Sequence, residues 1–184
     1  MATPHPERNL DAQRVLARAR LLALDVDGTL TDGRIAYLGG EELVHFHAHD
    51  GQGLVWLLQA GVQVAWISGR GSRAVEHRAR ELGVRELHLM ASSKGAVLAD
   101  VQRRLGIGAD ETIAMGDDLV DLAFASRAAL LVAPANARPE VRAAAGLVTV
   151  ASGGAGAVRE LAERVLAAKG LWSERVDRSV RAPE

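Results

Sequence analysis

The residues best suited to chemistry stand at the ends of apolar runs. LLAL (21–24) leads into Asp25 and Asp27, two carboxylates with one residue between them and Gly28 after them. VQVAWI (62–67) leads into Ser68, Gly69 and Arg70, and TIAM (112–115) leads into Gly116, Asp117 and Asp118, with Asp121 shortly beyond. Lys94 opens the helical pattern that follows a further apolar run. In a doubly wound sheet, ligands bind outside the carboxyl ends of the strands, so these strand ends would share one crevice. Carboxylates gathered in a crevice repel one another. A divalent cation removes that repulsion, and hard oxygen donors in a chain without cysteine suit Mg²⁺. A lysine in the first turn of a helix opposes the helix dipole. It is either a solvated surface residue or a charge aimed at a phosphate held near that helix end.

The elements that must position these groups alternate along the chain. Strands are expected at 21–25, 62–68, 86–90, 111–116, 129–133 and 147–150, and helices at 51–61, 71–82, 94–105, 118–126, 138–145 and 156–169. The strands show little polar alternation, the mark of a parallel sheet covered on both faces. Runs 34–38 and 42–46, joined around Gly39-Gly40, read as a β-hairpin. The fold class is therefore α/β, a doubly wound, Rossmann-like parallel sheet with a hairpin insertion. Residues 1–20 read as an N-terminal arm, 21–170 as the domain and 171–184 as a C-terminal tail.

Composition narrows the function. The chain has 184 residues, 48% of them hydrophobic, enough for one domain with a full core. A net charge of −1 without a basic block gives no footprint for nucleic acid or an anionic membrane surface. No apolar run reaches the length of a membrane helix, and MATPHPERNL lacks the apolar core of a signal peptide. A cytoplasmic location is expected.

Together DVDGT (25–29), ISGR (67–70), Lys94 and GDDLVD (116–121) resemble the haloacid dehalogenase superfamily of phosphatases, over about Leu21 to Lys169. The resemblance implies that Asp25 attacks phosphorus and forms an aspartyl phosphate. Asp27 would protonate the leaving alkoxide and then activate water. Two residues apart on extended chain, both carboxylates point the same way. Mg²⁺ would sit on the Asp25 carboxylate, the Asp27 carbonyl and Asp117. Ser68, Gly69 and Lys94 would hold the phosphoryl oxygens, with Asp118 and Asp121 in support of the metal and Lys94. Neither gap between these motifs has room for the cap domain that members usually carry, which disfavours phosphoryl transfer to a second sugar and leaves a neighbouring subunit to shield the site.

Among capless members the chain is similar to phosphatases of 3-deoxy-D-manno-octulosonate 8-phosphate, and to relatives acting on nonulosonate 9-phosphates. The residues that carry this are TDG (31–33), the hairpin with Glu41-Glu42, HDG (49–51), ELGV (81–84), GDDLVDL and GGAGAVRE (153–160). It implies a sugar-acid phosphate substrate and a homotetramer, with the hairpin at the subunit centre completing a neighbour's site and the C-terminal tail reaching toward the cleft. A regulatory partner of a sugar cytidylyltransferase is the non-catalytic alternative. One departure is local: octulosonate enzymes usually read FNVRDG where this chain reads FHAHDG, so His49 stands in place of an arginine. His49 and Arg70 are the candidate substrate contacts, Arg70 either gripping the sugar acid's carboxylate or pairing with a helix glutamate. His45, His47 and His49 alternate along the strand leading into Asp50 and so share one face, as a transition-metal site or as polar residues at a strand end and subunit contact. The glycines 153, 154 and 156 before the last helix are either an anion site or a turn. Trp56 and Trp66 read as core, and Trp172 as a residue free to meet a neighbour.

Overall fold

A computed structural model describes residues 6–181 of the chain. Its centre is a parallel sheet of six strands: β1 (Leu21–Leu24), β4 (Gln63–Ile67), β5 (Glu86–His88), β6 (Thr112–Met115), β7 (Leu130–Ala133) and β8 (Leu147–Val148), in the order β5-β4-β1-β6-β7-β8. A separate antiparallel hairpin, β2 (Ala36–Leu38) and β3 (Glu41–Leu43), follows β1.

The strands are apolar throughout because both faces are covered. Leu22 and Leu24 of β1, with Val64, Trp66, Ile113 and Met115, pack under α1 (Pro6–Arg18), α2 (Ala48–Gln59), α3 (Arg73–Leu82) and α6 (Ala157–Ala168). The alternate residues Leu21, Ala23, Ala65, Ile67 and Ala114 face α4 (Lys94–Leu105) and Phe124. α5 (Pro139–Ala144) covers the end of β7 through Val141. A one-residue register slip would exchange the two cores. The doubly wound sheet read from the sequence is the fold observed. Between Asp27 and Ser68 lie only the hairpin, α2 and β4, and between Ser68 and Lys94 only α3 and β5.

Several local expectations are corrected. The hairpin strands are shorter than 34–38 and 42–46, and the chain leaves β3 at Leu43. α2 begins at Ala48, not Gly51, with His47 as its N-cap. His45, His47 and His49 therefore do not alternate along a strand: His49 is helical and stands edge-on to His47 with ring centroids 5.1 Å apart. The α-helix expected over 118–126 is a tight 3₁₀ segment, Leu119–Phe124. Before β1, α1 buries Ala12 and Leu16 in the core, and Ala19 just after it is buried too. After α6, α7 (Trp172–Val180) returns onto the domain. Trp172 meets Trp56 of its own chain at 5.8 Å, and the Arg159 guanidinium lies 4.2 Å from the Trp56 ring. Cation–π stacking of this kind fixes α7 against α2 and α6. Among the described residues no helix is long and apolar enough to cross a membrane.

Candidate active site

Strand register brings the candidate residues together. Leu24, at the end of β1, pairs with Trp66 on one side and Met115 on the other. The Asp25 N–H continues the ladder by donating to the Met115 carbonyl at 2.9 Å. The segments after β1, β4 and β6 thus leave the sheet at one level, and their side chains meet in one cleft.

Lys94 lies at its floor, 7% exposed, although it is a first-turn lysine. Its Nζ donates to Asp25 Oδ1 and to Asp121 Oδ1, each at 2.5 Å. α4 is fixed from its far end by Gln102, whose amide donates to Thr112 Oγ1 at 2.9 Å and to the Arg127 carbonyl at 2.7 Å. Asp121 is fully buried, and its other oxygen accepts the Asp117 and Asp118 N–H groups at 3.0 and 3.1 Å. Both oxygens of Asp121 are occupied, so it anchors Lys94 and the loop. Asp118 is exposed, and its carboxylate turns back to accept the Leu119 N–H at 2.8 Å, capping the 3₁₀ segment. Its carboxylate is thus engaged with its own backbone rather than with Lys94, which it was expected to support.

Asp25, Asp117 and Asp121 offer carboxylate oxygens within 4.8 Å of one another. Burial, then the charge of Asp121, pushes the Asp25 carboxyl well up, with Lys94 opposing. Burial, then Asp121, pushes Asp117 up to about 6. For Lys94 burial acts downward, but the Asp25 and Asp121 charges outweigh it and hold its pKa above the ordinary value. One lysine does not neutralise this group. Crowded oxygen donors short of positive charge fit Mg²⁺, with Asp25 and Asp117 the carboxylates free to hold it.

A stability prediction follows for the metal-free protein. Between 3.8 and about 6 the folded chain keeps a proton on Asp117 that the unfolded chain has released. Stability therefore falls as pH rises through that window and stays lower above it. Urea titrations in EDTA should show wild type losing stability relative to Asp117→Asn over this range, with Mg²⁺ reversing the loss. A difference independent of pH would contradict it.

Close backbone approaches shape the cleft. Gly28, at φ +95°, lies where a Cβ would stand 2.2 Å from Asp117 Oδ2, so only glycine admits Asp117 there. The Thr29 hydroxyl donates to Asp117 Oδ1 at 3.5 Å. A Cβ on Gly153 would fall 1.8 Å from the Gly28 carbonyl oxygen. Asn136 ties the same two loops, its amide donating to the Gly28 carbonyl at 3.0 Å and its oxygen accepting the Gly153 N–H at 2.6 Å. Neither contact was read from the sequence, since a lone asparagine after β7 carries no motif. The glycine cluster before α6 is a turn, not an anion site. The buried Asp50 carboxylate already accepts the Gly156 and Arg159 N–H groups, at 3.2 and 2.7 Å.

On the solvent side, Ser68 Oγ donates to Asp27 Oδ2 at 3.1 Å and accepts the Arg70 N–H at 3.0 Å. Arg70 Nε lies 3.5 Å from Asp27 Oδ1, and its Nη2 donates to Glu42. The partner of Arg70 is thus a hairpin glutamate, not a helix one. Gly69 leaves open space, the nearest atom to a Cβ there being the Ala91 carbonyl oxygen at 3.9 Å. His49 is exposed at the start of α2, against His47.

A parallel sheet with paired aspartates after β1, a hydroxyl after β4, a buried lysine opening α4 and an acidic loop after β6 defines a haloacid dehalogenase-like phosphatase. The family model of haloacid dehalogenase-like hydrolases matches residues 86–161. The 3-deoxy-D-manno-octulosonate 8-phosphate phosphatase KdsC of Escherichia coli K12 is 40% identical over 171 residues, 90% of this chain and 90% of that protein. The Moraxella catarrhalis 3-deoxy-D-manno-octulosonate 8-phosphate phosphatase, solved with magnesium, phosphate and 3-deoxy-D-manno-octulosonate, is 34% identical with a TM-score of 0.88, covering 91% of this chain and 97% of that one. The cobalt-bound Haemophilus influenzae enzyme is 35% identical with a TM-score of 0.84, covering 86% and 94%. The chain belongs to this family of octulosonate 8-phosphate phosphatases.

Proposed function

We propose that the protein is a cytoplasmic, Mg²⁺-dependent phosphomonoesterase that hydrolyses 3-deoxy-D-manno-octulosonate 8-phosphate. The observation that carries the chemistry is the buried Lys94, held between Asp25 and Asp121 beside Asp117. Asp25 attacks phosphorus in line, breaking the bond to the sugar oxygen and forming an aspartyl phosphate. Asp27 gives its proton to the departing sugar alkoxide, then takes one from the water that hydrolyses the intermediate. Lys94, the Ser68 hydroxyl and the Gly69 N–H hold phosphoryl oxygens as charge develops. The carboxylates of Asp25 and Asp117, with the Asp27 carbonyl, would hold Mg²⁺, which would supply positive charge against the phosphoryl group. Asp121 keeps Lys94 and the Asp117 loop in place.

The substrate rests on the relatives: the octulosonate ester is the activity named for the Escherichia coli protein. The nonulosonate ester and the non-catalytic role find no such support. Assembly as a homotetramer through the hairpin is supported by its exposed apolar side chains, Tyr37 at 67% and Leu38 at 70%. Both are costly to leave in water on so short a hairpin. His49 is kept as a substrate contact, its ring exposed at the start of α2 against His47.

The test is phosphate release with Mg²⁺ from octulosonate 8-phosphate, a nonulosonate 9-phosphate and hexose phosphates. The expected outcome is a clear preference for the first, with kcat/KM of about 10⁴ M⁻¹s⁻¹ or more. Equal, weak turnover of all of them would remove the substrate assignment.

A further inference from the structure

The Arg70 guanidinium lies between two carboxylates of different elements, Asp27 after β1 and Glu42 on β3. Its backbone is fixed on both sides. The Arg70 N–H donates to Ser68 Oγ at 3.0 Å, and its carbonyl accepts the Met90 N–H at 3.2 Å. The Nε atom is buried and has no hydrogen-bond partner, although Asp27 Oδ1 is only 3.5 Å away. A small tilt of Asp27 supplies the missing bond. Glu42 is the more buried of the two carboxylates, with its side chain 17% exposed against 34% for Asp27.

These contacts grip both oxygens of Asp27, Oδ2 through Ser68 and Oδ1 through Arg70. The two grips differ in what happens during turnover. Once Ser68 turns its hydroxyl toward a phosphoryl oxygen, Asp27 loses its Oδ2 partner. Arg70 is then the side chain left to aim it, and Glu42 fixes the far end of the guanidinium. A planar, forked cation suits this bridging role, and a lysine does not.

Resting on the phosphatase reading, we infer that Arg70 is a positioning residue for Asp27 and that Glu42, through Arg70, couples the hairpin to proton transfer in the same chain. Arg70 is then not the ligand of the sugar acid's carboxylate. A substrate carboxylate would have to displace Glu42 to reach it.

The test is steady-state kinetics on octulosonate 8-phosphate and on a carboxylate-free hexose phosphate, using Arg70→Met, Arg70→Lys, Glu42→Gln and the double variant Glu42→Gln/Arg70→Met. Misaiming a catalytic group by about 1 Å costs on the order of 10²-fold. Arg70→Met should lose about that much kcat, by the same factor on both esters, with KM changed less than about threefold. Arg70→Lys should recover only part of the loss. Glu42→Gln should lose about tenfold alone and nothing further in the double variant, because it acts only through Arg70. A rise in KM confined to the octulosonate ester would make Arg70 a substrate ligand and overturn the inference. So would a silent Glu42→Gln. A wild-type enzyme inactive on both esters would overturn the phosphatase reading itself. Arg70 and Glu42 lie at the surface end of the cleft, so melting midpoints serve as the folding control.

Discussion

Asp25→Asn should abolish turnover, lowering kcat by on the order of 10⁴-fold or more, while the protein stays folded. The side chain keeps its shape, and an amide oxygen still accepts from Lys94 Nζ. Burial and the neighbouring Asp121 charge already push the Asp25 carboxyl well up, so its ionised form is costly to house in the metal-free fold. Removing that charge should leave the melting midpoint unchanged or raise it. Phosphate release and differential scanning calorimetry on the same sample check both halves. A variant that keeps more than about a hundredth of the activity would place the nucleophile elsewhere, because general acid–base and electrostatic effects remain without it.

Lys94→Met should show the second largest effect, and in both quantities. Lys94 is the cation in direct contact with Asp25 and Asp121, and its removal strands two buried carboxylates. Breaking one partner out of a buried ion pair costs about 3 kcal/mol or more. Loss of a preorganised charge at the phosphoryl site costs on the order of 10²–10³-fold in kcat. The stability loss should be largest above pH 6 in EDTA (roughly the top of the window in which buried carboxylates like Asp117 take up a proton) and shrink on acidification. Urea midpoints with an unchanged slope separate stability from a change in unfolded-state compactness. A variant equal in stability to wild type at neutral pH, without metal, would contradict the buried triad.

The sheet and the gathering of the candidate residues were legible because they rest on short-range rules. A buried strand is an apolar run, and the residue after it falls at the carboxyl edge of a parallel sheet. That logic places Asp25, Ser68 and Asp117 correctly relative to one another without any knowledge of side-chain contacts. Much of what was missed depends on partners far apart in sequence. Asn136 bridges Gly28 and Gly153 across more than a hundred residues of chain. Asp50 caps α6 from α2, which turned a suspected anion site into an internal cap. Trp172 looked free because its tail is polar, yet it closes on Trp56 and Arg159. The histidines were assigned to one face by a period of two that ended when the chain left β3 at Leu43. Asp118 matched a motif of ligating type, but its side chain satisfies the adjacent backbone instead.

The buried lysine also shows how burial and charge divide labour in the cleft. Asp121 gives up both oxygens to Lys94 and two backbone N–H groups, and so holds geometry rather than reacting. Asp25 and Asp117 keep free valence, at the cost of raised proton affinity, and that is the state a cation resolves. Asp27 stays nearer solvent, where proton exchange with water is open to it.

The most direct test is to trap the covalent intermediate. Enzyme mixed with radiolabelled octulosonate 8-phosphate and Mg²⁺, quenched in acid within a turnover and digested, should carry one phosphoryl group on the peptide containing Asp25, and Asp25→Asn should carry none. Label on another residue, or rapid phosphate release with no labelled protein at any quench time, would contradict nucleophilic attack by Asp25.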